Sequence, residues 1–242
     1  MPNIKAVLLD LDDTLLINDM ETFSPHYYRA LLNKMRGVCP PGAFVEALNQ
    51  GVRAMVHNDG RQGTNAEVFG REFYRRLDRD PQEIEPILYE FYANEFEELA
   101  QYTEPDPVAR ELVQLLRARG YQIAIATQPL FPRIAIEARL RWAGVGADEF
   151  PYDLITSYEI MRACKPRTAY FEAVLQQLGR RAPEALMVGD SPESDMPAGR
   201  MGFYTFWVDR GRLAEEPDVA SDARGSLSDL YALIETGAIN AL

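Results

Sequence analysis

Five short, mostly apolar stretches dominate the sequence: IKAVLL at 4–9, YQIAIA at 121–126, YDLIT at 152–156, ALMV at 185–188 and FYTFWV at 203–208. They are near-continuous rather than alternating, the pattern of strands buried on both faces. All but the first pair are separated by a single segment of helical period, as parallel pairing through crossover helices requires. Asp106-Pro107 supplies a cap and a first-turn proline for an amphipathic stretch that closes at Gly120. Segments 132–142, 167–178 and 227–235 repeat that period and length. The expected fold is α/β, a doubly wound parallel sheet of Rossmann-like type.

The rhythm breaks once, because roughly a hundred residues separate the first stretch from the second. Residues 18–103 contain no convincing strand and four pieces of helical period, at about 25–36, 42–57, 65–78 and 83–99. Thr64 and Glu67 have capping-box spacing for the third piece. The simplest organisation is a sheet domain of residues 1–17 and 104–242, with an all-helical domain of residues 18–103 inserted into it. Hinges are expected at 17–24 and at 101–107, where QYTEPDP is too rich in proline to be helical. Phe69, Phe73, Phe91 and Tyr92 recur with Ile84, Ile87 and Leu88 at helical spacing and are read as the insert's own core.

Composition narrows the partners. Twenty-five basic and 37 acidic residues give a net charge of −12, which disfavours nucleic acid and anionic membrane surfaces. The two cysteines, Cys39 and Cys164, form no disulfide framework, and the amino-terminal stretch is too short and too acidic for a signal peptide or membrane span. A cytoplasmic protein is expected. Nothing in the sequence sets its oligomeric state.

Ligands collect at the carboxyl ends of strands in open parallel sheets. Here those ends carry Asp10, Asp12, Asp13 and Thr14, then Thr127 and Gln128, then Lys165, then Asp190 and Asp195. Crowded carboxylates call for a cation, and Asp10 with Asp190 suits a hard Mg²⁺ that keeps several waters and a phosphate oxygen. Residue chemistry allows Asp10 or Asp12 to act as nucleophile or proton carrier and the Thr127 hydroxyl to donate to an anion. Lys165 stands out in a chain whose only other lysines are Lys5 and Lys34.

In these four ordered motifs, DLDDTL at 10–15, IAIAT ending at Thr127, CKP around Lys165 and VGDSPESD at 188–195, the chain resembles the haloacid dehalogenase superfamily, in its phosphatase branch. The helical insert after the first motif resembles that family's cap. The resemblance implies Asp10 as nucleophile, Asp12 as general acid and base, Thr127 and Gln128 with Lys165 around the phosphoryl group, and Asp10, Asp12 and Asp190 holding Mg²⁺. Asp195 is expected to orient Asp190 or a metal-bound water. It also implies the strand order 5-4-1-2-3.

The activity implied is Mg²⁺-dependent hydrolysis of a small phosphorylated metabolite through an aspartyl phosphate. Two alternatives are a phosphomutase of the same family and a catalytically silent module that binds a phosphorylated ligand. Hydrolytic dehalogenation is disfavoured by Asp12 and Asp190, since the family's dehalogenases lack the former and need no metal. Gln128 departs from the asparagine often found there, which leaves its backbone N–H usable and its side-chain role open. Asp13 is expected to be structural, Cys164 a small buried residue, and His26 and His57 structural or superficial. Arg61 is expected to be a solvated loop residue, with a guanidinium facing substrate as the alternative.

Overall fold

The computed structural model describes residues 3–211 and 220–241. Strand β1 (Ala6–Leu9) and the two-residue β2 (Leu16–Ile17) precede four helices, α1 (Met20–Lys34), α2 (Pro41–His57), α3 (Asn65–Leu77) and α4 (Pro81–Ala93). A 3₁₀ segment (Glu95–Tyr102) leads back to β3 (Glu104–Pro105). Then follow α5 (Ala109–Ala118), β4 (Gln122–Ile125), α6 (Arg133–Trp142), β5 (Leu154–Ile155), α7 (Thr168–Leu178), β6 (Ala185–Gly189), β7 (Tyr204–Val208), β8 (Ala223–Gly225) and α8 (Leu227–Thr236).

The main sheet is parallel and six-stranded, in the order β5-β4-β1-β6-β7-β8. Counted along the chain this is the expected 5-4-1-2-3 order read from its other end, extended by β8. That sixth strand escapes a hydropathy reading because none of its three residues is buried.

Side chains alternate between two layers as the pleat requires. Val7 and Leu9 pack with Leu112, Leu116, Leu230 and Ile234 on one face, while Ala6 and Leu8 pack with Tyr170, Phe171 and Val174 on the other. Because both faces are covered, a strand shows no polar alternation. Leu9 lies level with Ile125 of β4 and Val188 of β6, so three strand ends finish side by side. The chain leaves β1 toward opposite neighbours, and the crevice opens at that point.

β2 and β3 pair antiparallel, so the segment carrying the four helices leaves and re-enters through paired strands. Arg210 fastens this junction. Its guanidinium donates to the carbonyls of Asp13 and Thr14 and to Asp106 Oδ2, the last at 2.6 Å. Asp106 Oδ1 accepts from Val108 N–H at 3.0 Å and holds the turn before α5, but the helix itself starts at Ala109 with Val108 at its cap position, two residues later than the Asp106-Pro107 pair suggests.

Helix boundaries differ from expectation in two further places. Helix α1 starts at Met20, inside the stretch expected to be a hinge, because Asp19 caps the N–H of Glu21. Pro25 therefore lies within the helix instead of opening it. The piece expected at 83–99 is broken at Asn94, whose φ of −127° and ψ of −76° end α4 before the 3₁₀ segment begins. The capping box of Thr64 and Glu67 is present.

The aromatic cluster of this region buries Phe23, Phe44, Phe73, Ile84, Phe91 and Phe96, with Phe69, Ile87, Leu88 and Tyr92 packed partly buried around it. It is not the insert's alone, because Ala135 and Ala138 of α6 belong to the same cluster. A second seam joins the first residue of α3 to the sheet side. Asn65 N–H donates to Met161 O at 2.7 Å, and its side chain donates to Pro129 O at 3.2 Å.

Removing the Arg210 guanidinium leaves the buried Asp106 carboxylate and two junction carbonyls without their donor. Arg210→Ala is expected to lower stability by about 2 kcal/mol or more in urea unfolding, the scale of hydrogen bonds to a charged group. A change within a few tenths of a kcal/mol would show that the clamp is superficial.

Candidate active site

Asp10 follows β1, and its N–H continues the sheet ladder to Val188 O at 2.9 Å. The residue is buried, with Lys165 Nζ 2.7 Å from Oδ1 and Thr14 Oγ1 3.3 Å from Oδ2. The same ammonium lies 2.6 Å from Oδ1 of Asp195, which is 1% exposed. Asp195 Oδ2 in turn accepts from Ser191 N–H at 3.1 Å, which pins the turn after β6. One oxygen from each of Asp10, Asp190 and Asp195 lies within 4.8 Å of the others.

A single ammonium serves three carboxylates. Burial pushes the Asp190 carboxyl from 3.8 up to about 8, with Asp10, Asp195 and Asp13 adding repulsion. Burial also raises Asp10, Lys165 opposes the shift, and Asp195 reinforces it. For Lys165 burial works against the charge, but Asp10 and Asp195 outweigh it and hold the ammonium above its ordinary range. The cluster is short of positive charge, and its all-oxygen donor set fits a hard divalent cation.

Gly189 permits the packing. A Cβ there would stand 2.1 Å from Asp195 Oδ2 and 2.3 Å from its Cγ.

Thr127, 2% exposed, lies two residues beyond β4. Its carbonyl accepts from Thr156 Oγ1 at 3.0 Å and Tyr170 OH at 2.9 Å, so its backbone is fixed twice. Gln128 spends its side-chain amide on the Lys165 main chain, donating to Lys165 O at 3.1 Å and accepting from Lys165 N–H at 2.9 Å. The side chain that was left open thus positions the lysine.

The carboxylate of Asp12 does not join the cluster in which it was expected, and Asp195 stands there beside Asp10 and Asp190 instead. Asn18 Nδ2 donates to Asp12 Oδ1 at 2.7 Å, and Arg139 Nη1 pairs with Oδ2. The physical reason is Arg139 itself, which is 1% exposed and needs a counter-ion. Arg139 was missed at the sequence level, although its signal was present: it falls on the apolar face of α6 with Ala135, Ile136, Ala138 and Leu140.

Asp13 takes a left-handed conformation at φ 56° and accepts from Asn18 N–H at 3.1 Å, a turn role. Arg61 does not enter the crevice, its side chain being 89% exposed beside Asp59. Cys164 is buried, and burial pushes its thiol up to about 12, the opposite of an activated nucleophile. His26 stacks on Tyr102, and His57 Nδ1 bonds Arg53 O, so neither joins the acidic cluster.

A cavity of about 750 Å³ opens between the helices of the insert and the start of α6. Tyr27, Phe69, Tyr92, Phe131 and Tyr158 line it, with Glu85 among its charged residues. The clustered carboxylates are not part of its wall.

A family profile described as haloacid dehalogenase-like hydrolase matches residues 4–202. The chain belongs to the haloacid dehalogenase-like hydrolases. A "glyceraldehyde 3-phosphate phosphatase" of Pyrococcus furiosus is 28% identical over 218 residues, 89% of this chain and 85% of that protein. A "phosphoserine phosphatase" of Thermus thermophilus is 33% identical over 127 residues, 52% of this chain, and the match spans about half of that relative's own length, 49%. Among solved structures, a 2-haloacid dehalogenase from Pseudomonas syringae superposes with a TM-score of 0.63 at 22% identity, covering 97% of this chain and 99% of that one, a likeness of fold. Among the described residues no helix is long and apolar enough to cross a membrane.

Two outcomes follow from this geometry. Gly189→Ala should displace the Asp195 carboxylate and lower stability by about 1–3 kcal/mol, the scale of overpacking, in urea unfolding. In the metal-free protein the raised Asp190 carboxyl holds a proton in the folded state that the unfolded chain releases. That stabilisation is complete below about pH 4 and is lost as pH rises through about 8. A divalent cation that replaces the proton should therefore raise the Tm more at pH 8 than at pH 5. An equal rise at both, or none, would contradict the acidic cluster as the metal site.

Proposed function

We propose that the protein is a Mg²⁺-dependent phosphomonoesterase that hydrolyses a small phosphorylated metabolite through an aspartyl phosphate. The observation that carries this reading is Asp10, a buried carboxylate at the end of the central strand, held by Lys165 and flanked by Asp190 and Asp195. Relatives named as phosphatases support it.

In this reading Asp10 attacks phosphorus in line while the Lys165 ammonium balances the charge of the transferring group. The Thr127 hydroxyl and the Gln128 backbone N–H hold phosphoryl oxygens. Asp12 gives a proton to the leaving alkoxide as the P–O bond breaks. It then takes one from the water that attacks the phosphoenzyme and frees Asp10. Asp10 and Asp190 would hold Mg²⁺, with Asp195 beside them, and the ion would supply the positive charge that one lysine cannot provide alone.

The helical segment 18–103 would serve as a cap that sets which metabolite enters. Two free cysteines and the absence of a spanning helix among the described residues support a cytoplasmic location. The strongly acidic chain disfavours nucleic acid and membrane surfaces as partners.

The test is hydrolysis of p-nitrophenyl phosphate, followed by a panel of phosphorylated metabolites. Turnover should require Mg²⁺ and stop in excess EDTA, and Asp10→Asn should abolish it because an amide does not attack phosphorus. Undiminished turnover in EDTA would overturn the role of the metal, and an active Asp10→Asn variant the role of the nucleophile.

A further inference from the structure

Helix α6 buries one charge among its apolar side chains, the guanidinium of Arg139. Nη1 pairs with Asp12 Oδ2, and the guanidinium carbon stands 4.4 Å from the centre of the Phe131 ring. Nη2 is buried with no hydrogen-bond partner among the described residues. On the other side of the same carboxylate Asn18, 0% exposed, donates from Nδ2 to Asp12 Oδ1 at 2.7 Å. Its own Oδ1 is likewise buried and unpartnered. Both oxygens of Asp12 are thus gripped by buried groups that arrive from elements far apart in the chain.

Holding both oxygens removes rotamer freedom from the carboxylate and presents it in one orientation. We propose that Arg139, together with Asn18, is a positioning residue for Asp12 that sets the geometry of its proton transfers. The proposal rests on Asp12 as the acid and base of the phosphatase reading. The competing account is that Asp12 merely neutralises a buried arginine. That account predicts a loss of stability but no effect confined to a step that needs Asp12. The two-sided grip favours the first account, since neutralising Arg139 engages only Oδ2, whereas Asn18 fixes Oδ1 as well.

p-Nitrophenyl phosphate separates the two, because its leaving group departs as a stable anion. In the first step the Asp10–phosphorus bond forms, the aryl P–O bond breaks and p-nitrophenolate leaves without a proton. In the second step water attacks phosphorus, its proton passes to Asp12, and the bond to Asp10 breaks. A loss confined to Asp12 therefore spares the first step and slows the second. Arg139→Met is expected to release an initial burst of p-nitrophenolate and to lower steady-state kcat by about 10–100-fold, the scale seen when a supporting partner is removed. Arg139→Lys, which keeps one charged donor, should recover part of that loss.

Double-mutant cycles with Asp12→Asn give the decisive comparison. In the Asp12→Asn background neither Arg139 substitution should lower kcat further, since no proton-transferring group is left to position. If Arg139→Met does not fold, the cycle with Arg139→Lys decides the same question. Equal losses in both backgrounds, no burst from Arg139→Met, or unchanged kcat in both Arg139 variants would overturn the proposal. A wild-type enzyme with no turnover of any phosphate ester would overturn the phosphatase reading as well. A failure of the positioning role alone leaves wild-type turnover intact.

Discussion

Three carboxylates share one ammonium at the end of the central strand, and the rest of the architecture accommodates that imbalance. Lys165 bridges Asp10 and Asp195 from a buried position, while the repulsion left over falls on Asp190. Such a cluster is costly in a low-dielectric crevice unless a proton or a cation completes it. The parallel sheet makes the cluster possible by ending β1, β4 and β6 at one level. Gly189 lets Asp195 come as near as it does, and Gln128 fixes the main chain of the lysine. Site and fold are therefore one electrostatic problem, in which the sheet supplies the geometry and short polar contacts hold the charges in place.

The parts that were legible in the sequence are those that local rules dictate. Asp10 and Thr127 follow apolar strands directly, so reading the strand also places the residue. The long strandless stretch likewise showed its helices. What escaped depends on partners distant in the chain. Nothing near Gln128 says that its amide will pair with the Lys165 main chain, and nothing near Arg210 says that it will clamp Asp13, Thr14 and Asp106. The helical period shows α1 only from about residue 25, whereas the cap at Asp19 starts the helix at Met20. Arg139 is intermediate. Its place on an apolar helix face marks it as buried and paired, but only the tertiary structure names Asp12 as the partner.

The insert and the sheet side are joined more closely than a simple hinged arrangement implies. They share a hydrophobic cluster through Ala135 and Ala138, and Asn65 bonds main-chain carbonyls at Met161 and Pro129. Moving the insert as a body means breaking or sliding both seams, and the β2–β3 pair is itself anchored by Leu16 in the main core and by the Arg210 clamp. The aromatic cavity lies along this boundary, so a change in the spacing of the two parts would change its shape first. Phe131 lines that cavity and also carries the Arg139 guanidinium over its ring.

The Arg139–Asp12 pair also limits what stability alone can explain. A buried ion pair gains little over well-packed apolar side chains of similar volume, because desolvation consumes most of the Coulombic attraction. The face of α6 that carries Arg139 is otherwise apolar, so a leucine or methionine there would serve the core at least as well. The guanidinium also keeps its Nη2 without a partner among the described residues, a further cost that an apolar residue would avoid. A contact that costs more than its apolar substitute makes physical sense where it fixes the orientation of a group. Here that group is the carboxylate two residues from Asp10.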